Sequence, residues 1–161
     1  MPVRKLKQYL DKQHIKYVTI LHSTAYTAQE IAAAAHIPGR MLAKTVMVKL
    51  DGEVAMVVLP ASLRVDFACL KKASGALRAE LATEEEFKDM FPECEPGAMP
   101  PFGNLYGMSV YGSRALGGER EIAFNAGSHK ELMRMGYDDF LRLVKPKMVP
   151  LSTREMEIAV H

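Results

Sequence analysis

Two apolar runs dominate the hydrophobic pattern of this chain, and they flank a dipeptide that favours a tight turn. The first run covers residues 42–50, the second covers residues 54–59, and Asp51-Gly52 lies between them. Asp-Gly between two runs rich in β-branched residues is typical of a two-residue β-hairpin. Because every position of the second run is apolar, we predict a strand buried on both faces in the interior of a sheet. Lys44, near the start of the first run, breaks the pattern; it either extends its amine to solvent or holds an anion.

The rest of the chain alternates between helical and strand-like patterns. Helical spacing and capping residues predict helices over residues 3–14, 27–36, 65–73, 83–91 and 137–144. Strand patterns cover residues 17–22, 77–81, 105–111 and 121–125, whereas residues 130–135 fit either element. Residues 92–103 contain four prolines and two glycines, which predicts a long irregular loop. Interleaved helices and strands with an antiparallel hairpin indicate an α+β fold with a mixed, largely antiparallel sheet.

Composition indicates one globular domain over residues 1–161. Hydrophobic residues make up 48% and charged residues 25%, and the net charge of +2 does not suggest a protein that coats DNA. No run approaches 18 apolar residues, so we expect a cytoplasmic protein that does not cross a membrane. Cys69 and Cys94 have no CxxC partner, which favours a reducing compartment. The glutamates on either side of Cys94 disfavour its thiolate.

Common catalytic motifs are absent, and three other features remain as candidates. There is no Walker loop, GxGxxG, GxSxG or HExxH, and the five histidines lack zinc-ligand spacing, so we expect no metal and no cofactor. The three candidates are Lys44, the loop Gly97-Ala98-Met99-Pro100-Pro101 and the segment Asn125-Ala126-Gly127-Ser128-His129. The prolines fix the loop and its glycines allow close approach, so its backbone dipoles can bind a small polar group. Alternatively, the loop is a rigid crossover over a sheet edge, and the segment is a turn that satisfies its own backbone.

The same features, in the same order, resemble a known family. Ala43-Lys44-Thr45-Val46, the hairpin, Gly97-Ala-Met-Pro-Pro101 and Phe124-Asn-Ala-Gly-Ser-His129 are similar to the YbaK/EbsC family, the prolyl-tRNA synthetase-associated or INS-like editing domain. The resemblance extends over residues 3–146. It implies a β-barrel-like mixed sheet with surrounding helices. It also implies a trans-acting deacylase that hydrolyses the ester of a mischarged tRNA, commonly a proline tRNA.

The resemblance also implies roles for individual residues. Lys44 would steady the terminal adenosine through its phosphate, and the loop backbone would hold the aminoacyl group. The implied catalytic set is Lys44, Gly97 and Pro101, and the implied substrate-binding set is Ala98, Met99, Pro100, Gly127, Ser128 and His129. His129 would act as a pocket wall or a positioning residue. The implied partners are the 3′ end of aminoacyl-tRNA and prolyl-tRNA synthetase, with neither DNA nor a membrane.

The chemistry of the substrate agrees with so sparse a site. An aminoacyl ester is already activated, so a positioned water or substrate hydroxyl, with backbone polarisation of the carbonyl, suffices without a strong general base. Two other classes stay open: a non-catalytic module that binds an aminoacyl group, a nucleotide or a tRNA end beside a synthetase, and an interaction protein that uses residues 96–108. The sequence leaves open whether alanine, cysteine or serine is removed, from which tRNA, and in which oligomeric state.

Overall fold

The computed structural model describes residues 4–22, 37–38, 40–118 and 120–152. In these ranges the strands are β1 Tyr17–Leu21, β2 Ala43–Leu50, β3 Glu53–Pro60, β4 Ala79–Leu81, β5 Val110–Ser113, β6 Glu121–Asn125, β7 Glu131–Gly136 and β8 Lys147–Val149. The helices are α1 Arg4–Lys12, α2 Phe67–Ser74, α3 Glu84–Phe87 and α4 Tyr137–Val144. Short 3-10 helices span Lys88–Met90, Gly103–Tyr106 and Arg114–Gly118.

The hairpin of β2 and β3 forms the centre of the larger sheet, as predicted. The two strands pair antiparallel in the strand order β4-β2-β3-β5-β8, and residues 55–60 are all buried. Asp51 and Gly52 have φ values of 50° and 87°, the positive values that a type I′ turn requires. The Asp51 carboxylate also accepts hydrogen bonds from the N–H groups of Leu77 (3.0 Å) and Arg78 (2.9 Å). The turn therefore fixes the entry to β4 as well as the hairpin register.

A second sheet of three strands meets the first at one point. Its order is β1-β7-β6, and both pairs are antiparallel. A parallel bridge between Leu42 and Ala123 joins the start of β2 to β6. The pairs β3–β5 and β5–β8 are parallel, so the prediction of an α+β fold with mixed, largely antiparallel sheets is confirmed. The described strands form two sheets and no closed barrel, and the barrel-like arrangement stays a prediction.

The main core lies on one face of the hairpin and holds the long irregular loop in place. Ala43, Met47, Met56 and Val58 contribute alternate side chains to this face, where they join three buried phenylalanines, Phe102, Phe124 and Phe140. The ring of Phe102 lies 5.6 Å from that of Phe124 and 5.7 Å from that of Phe140. Because Phe102 directly follows the proline loop, this packing anchors the end of the loop. The other face of the hairpin packs against Leu70 of α2 and Tyr111 of β5.

Several local predictions are refined by the structure. The strand predicted over residues 105–111 was wrong for its first part, because residues 103–106 form a 3-10 helix and Gly107 turns the chain with a φ of 73°. Residues 130–135 fit either a helix or a strand by sequence. In the structure, residues 131–136 form a strand that pairs with both β1 and β6. The helix predicted over residues 27–36 lies outside the described residues. Among the helices that are described, none is long and apolar enough to cross a membrane.

Candidate functional site

The proline loop and the turn after β6 are bound to each other through their backbones. The N–H of Glu95 donates to the carbonyl of Gly127 (2.8 Å), and the N–H of Gly127 donates to the carbonyl of Ala98 (2.9 Å). Within the loop, the N–H of Ala98 donates to the carbonyl of Glu95 (3.0 Å), and Gly97 sits in this turn with a φ of 85°. Left-handed backbone of this kind favours glycine. Two segments about 30 residues apart in the sequence are thus held in contact.

His129 fixes the position of the loop. Its Nε2 lies 2.9 Å from the carbonyl oxygen of Pro96, and since a carbonyl only accepts, Nε2 must carry the hydrogen. Its backbone N–H donates to a carboxylate oxygen of Glu95 (3.1 Å). A Cβ on Gly97 would lie 3.5 Å from the imidazole Cε1, so the ring rests against the glycine. These contacts hold the His129 ring against the loop.

The loop presents backbone donors beside buried side chains. Ala98, Met99, Pro100 and Pro101 are all buried, and the prolines have no N–H. Within the described part of the chain, the N–H groups of Gly97 and Met99 donate to no protein acceptor. Unpaired backbone donors in a fixed loop are suited to polarising a carbonyl oxygen.

Gly127 and Ser128, in the turn, are buried too. The Ser128 hydroxyl accepts a hydrogen bond from the backbone N–H of Lys130 (3.3 Å), which shapes the turn. This contact is local and agrees with the structural alternative for Ser128.

Lys44 lies at the start of β2, half-buried and opposite Leu59. Burial lowers the pKa of its amine, and the nearby guanidinium of Arg64 lowers this pKa further. Among the described residues, neither cation forms an ion pair with a carboxylate. Two neighbouring cations without a counter-ion among the described residues favour the binding of an anion over the snorkelling alternative. Sequence reasoning missed Arg64, whose only signal was its position shortly after the strand that pairs with Lys44.

The bridge between the sheets relates Lys44 to the turn. Lys44 follows Leu42 by two residues, and Asn125 follows Ala123 by two residues. Because the chains run parallel at the bridge, Lys44 and Asn125 leave it in the same direction. Side chains alternate along a strand, so both are on the face of the bridge residues. The loop and the turn are therefore joined by direct contacts. Lys44 is related to the turn only by its register at the bridge.

The thiol of Cys94 is close to the loop but poorly suited to nucleophilic chemistry. Burial raises its pKa to about 11, a larger effect than that of Glu93, whose charge the sequence emphasised. Neither Cys69 nor Cys94 takes part in a disulfide with another described residue. Within the described ranges, no three His, Cys, Asp or Glu side chains come together as ligands for a metal ion.

A separate surface hollow of about 320 Å³ lies elsewhere on the molecule. Its lining includes Glu53, Met90, Tyr106 and Met108, and none of the candidate site residues. The hollow lies between the start of β3 and the turn before β5. It therefore plays no part in the site described above.

The fold and the site define an α+β protein with backbone donors on a fixed proline loop and two neighbouring cations, Lys44 and Arg64. Residues 22–143 match the family model of the aminoacyl-tRNA editing domain, and the chain belongs to this family. Membership confirms the predicted family and the predicted class, an aminoacyl-tRNA deacylase whose partner is aminoacyl-tRNA.

The chain is also similar to individual proteins, in sequence or in fold. The chain is 33% identical over 113 residues to the "Multifunctional Ser/Thr-tRNA deacylase ProXp-y" of Escherichia coli, a match that spans 66% of this chain and 66% of that protein. A candidate trans-editing enzyme for prolyl-tRNA synthetase has a TM-score of 0.80 at 22% identity, covering 92% of this chain and 95% of that one. A hypothetical protein has a TM-score of 0.82 at 18% identity, covering 92% and 99%. At these identities the two structures support the fold alone.

Proposed function

We propose that the protein acts in trans on mischarged tRNA and removes a small amino acid, with serine and threonine as the first candidates. The observation that carries the proposal is the clamp of Glu95, Ala98 and Gly127, which holds the proline loop on the turn in a chain of the editing family. The choice of serine and threonine rests on the name of the E. coli relative. A proline tRNA as carrier, and contact with prolyl-tRNA synthetase, rest on the resemblance and on the structural relative. The reaction would take place in the cytoplasm, where tRNA is used.

The proposed reaction is hydrolysis of the ester between the amino acid and the terminal ribose. Water, or a hydroxyl of the substrate, attacks the carbonyl carbon and forms a new C–O bond. The bond to the ribose oxygen breaks, and that oxygen leaves with a proton as a hydroxyl group. After attack by water, the amino acid departs directly as a carboxylate. After attack by a hydroxyl of its own side chain, it departs as a cyclic ester, which water then hydrolyses. As charge develops on the carbonyl oxygen, the N–H groups of Gly97 and Met99 are the available donors to stabilise it.

Positioning of the RNA end is assigned to the two cations. Lys44 and Arg64 would bind a phosphate of the terminal nucleotides, since a phosphate supplies the negative charge that the described residues near them lack. Anchoring the phosphate beside the loop fixes the ester carbonyl relative to the donors, and such positioning accounts for much of the rate in reactions of activated esters. Pro100 and Pro101 keep the loop geometry fixed, so little ordering is lost on binding.

The test is a deacylation assay in which serine, threonine, alanine or cysteine is esterified either to proline tRNA or to its own cognate tRNA. We expect ester loss from at least one small aminoacyl-tRNA. Lys44→Ala should lower kcat/KM by about tenfold to a hundredfold, because a charge-assisted hydrogen bond is worth roughly 1.5–3 kcal/mol.

Lys71→Ala is the matched control, since Lys71 is an exposed lysine of α2 that is not among the candidate site residues. Equal activity of Lys44→Ala and the wild type would rule out the proposed role of the lysine. Tight binding of aminoacyl-tRNA without any ester loss would identify a non-catalytic binding module instead.

A further inference from the structure

Asn125, the last residue of β6, carries a polar side chain that the fold does not use. Its carboxamide oxygen is fully buried and has no hydrogen-bond partner among the residues that the structure describes. Its side-chain amide makes no hydrogen bond to any described residue. A buried acceptor without a partner is costly and rare in folded proteins, so such a group calls for an explanation.

The location of Asn125 connects it to the site. It pairs with Leu132 across β6 and β7, and residues directly opposite each other share a face of the sheet. Leu132 clusters with Leu42 and Ala123, the two residues of the bridge between the sheets. Asn125 therefore faces away from the phenylalanine core, on the face that carries the bridge residues Leu42 and Ala123. It lies two residues before Gly127, whose backbone holds the proline loop.

We infer that the carboxamide of Asn125 binds the aminoacyl group, its oxygen accepting a hydrogen bond from an N–H or O–H of the bound ester. The inference rests on the proposed function, because it deepens the same site. A phosphate or an ester carbonyl offers no hydrogen to a neutral acceptor, so neither fits this oxygen. An α-ammonium group and a side-chain hydroxyl both do. A site that hydrogen-bonds a substrate hydroxyl discriminates strongly against analogues that lack it.

A purely structural role for Asn125 makes a different prediction. Such a role would need a hydrogen bond from the carboxamide, and replacing it with an apolar group of similar size would then lower the melting temperature. If the oxygen awaits a substrate, Asn125→Leu removes an unpaired buried acceptor, and the melting temperature should stay unchanged or rise. Asn125→Asp keeps an acceptor oxygen in the same place and should retain the hydrolysis that Asn125→Leu loses.

The experiment compares the wild type and both variants on seryl-, alanyl- and propionyl-tRNA. Seryl carries an ammonium group and a hydroxyl, alanyl carries the ammonium group alone, and propionyl carries neither. Asn104→Leu is the control, because Asn104 is an exposed asparagine whose amide bonds to the carbonyl of Leu143, outside the site. We expect Asn125→Leu to lower kcat/KM about tenfold to a hundredfold on esters that carry the bound donor. Propionyl-tRNA should be cleaved by the variant as well as by the wild type.

The pattern of loss identifies the donor. A loss confined to seryl-tRNA assigns the hydroxyl, and a similar loss on seryl- and alanyl-tRNA assigns the ammonium group; both support the inference. An equal loss on all three esters, unchanged hydrolysis of all three, or a lower melting temperature of Asn125→Leu would overturn it while leaving the proposed function in place. A wild-type protein that cleaves none of the esters would refute the proposed function, and this inference with it.

Discussion

Replacing Gly97 with alanine is the sharpest test of the loop as the acyl-binding element. Gly97 has a φ of 85°, and a Cβ there would lie 3.5 Å from Cε1 of His129, which is an ordinary contact. The main cost is therefore the left-handed backbone, about 1–2 kcal/mol for a residue with a Cβ. For a protein of this size, that corresponds to a fall in melting temperature of about 2–8 °C. We expect the turn that carries the hydrogen bond between Glu95 and Ala98 to move and so relax this strain.

Gly107 provides a matched control for strain. Its φ is 73°, and a Cβ there would have no atom within 4 Å. Gly107→Ala should thus cost about the same 1–2 kcal/mol in stability as Gly97→Ala. It lies after the 3-10 helix of residues 103–106, away from the contacts between the loop and the turn. Only the alanine at position 97 should displace the backbone donors.

Thermal unfolding and single-turnover deacylation separate the two effects. We expect similar melting temperatures for the two variants, with deacylation slowed about tenfold or more only in Gly97→Ala, because a displacement of a positioning loop by about 1 Å has effects of this size or larger. The reasoning would be refuted if Gly97→Ala cleaved the ester at the wild-type rate, or if Gly107→Ala lost as much activity.

Two further predictions concern charge. Arg64→Ala should raise the KM for tRNA and reduce the slope of log affinity against log salt by about 0.7, as expected for one lost phosphate contact on a single strand; Arg142→Ala, which removes a cation paired with a carboxylate on α4, should leave the slope unchanged. The hydrogen bond from Lys49, 2.6 Å away, lowers the pKa of Glu86 from 4.5 to about 2. A depressed carboxyl pKa stabilises the fold above pH 4.5 and ceases to do so as the pH falls toward 2. Melting temperatures across this range should therefore fall less steeply in Glu86→Gln than in the wild type, and parallel curves would contradict the assignment.

Local patterns were sufficient for the hairpin and most of the helices. Asp51-Gly52 predicted the turn because few other dipeptides adopt two positive φ values, and unbroken burial of residues 55–60 followed from an apolar run. Thr83 and Glu86 form the capping box that the sequence indicated. By contrast, the strand predicted over residues 105–111 begins only at Val110, because residues 103–106 form a 3-10 helix in which Gly103 packs closely against Val110 and Met56.

The sequence by itself determined the elements, the family and the pieces of the candidate site, because turn chemistry, periodicity and motifs are local properties of the chain. Only the tertiary structure decided how the pieces meet. The bonds between Glu95, Ala98 and Gly127, and the bridge of Leu42 and Ala123, join segments far apart in the chain, and no periodicity encodes such contacts. For the same reason, the second cation became visible only when β2 and β3 paired, and the buried oxygen of Asn125 only when strands from two sheets were brought together.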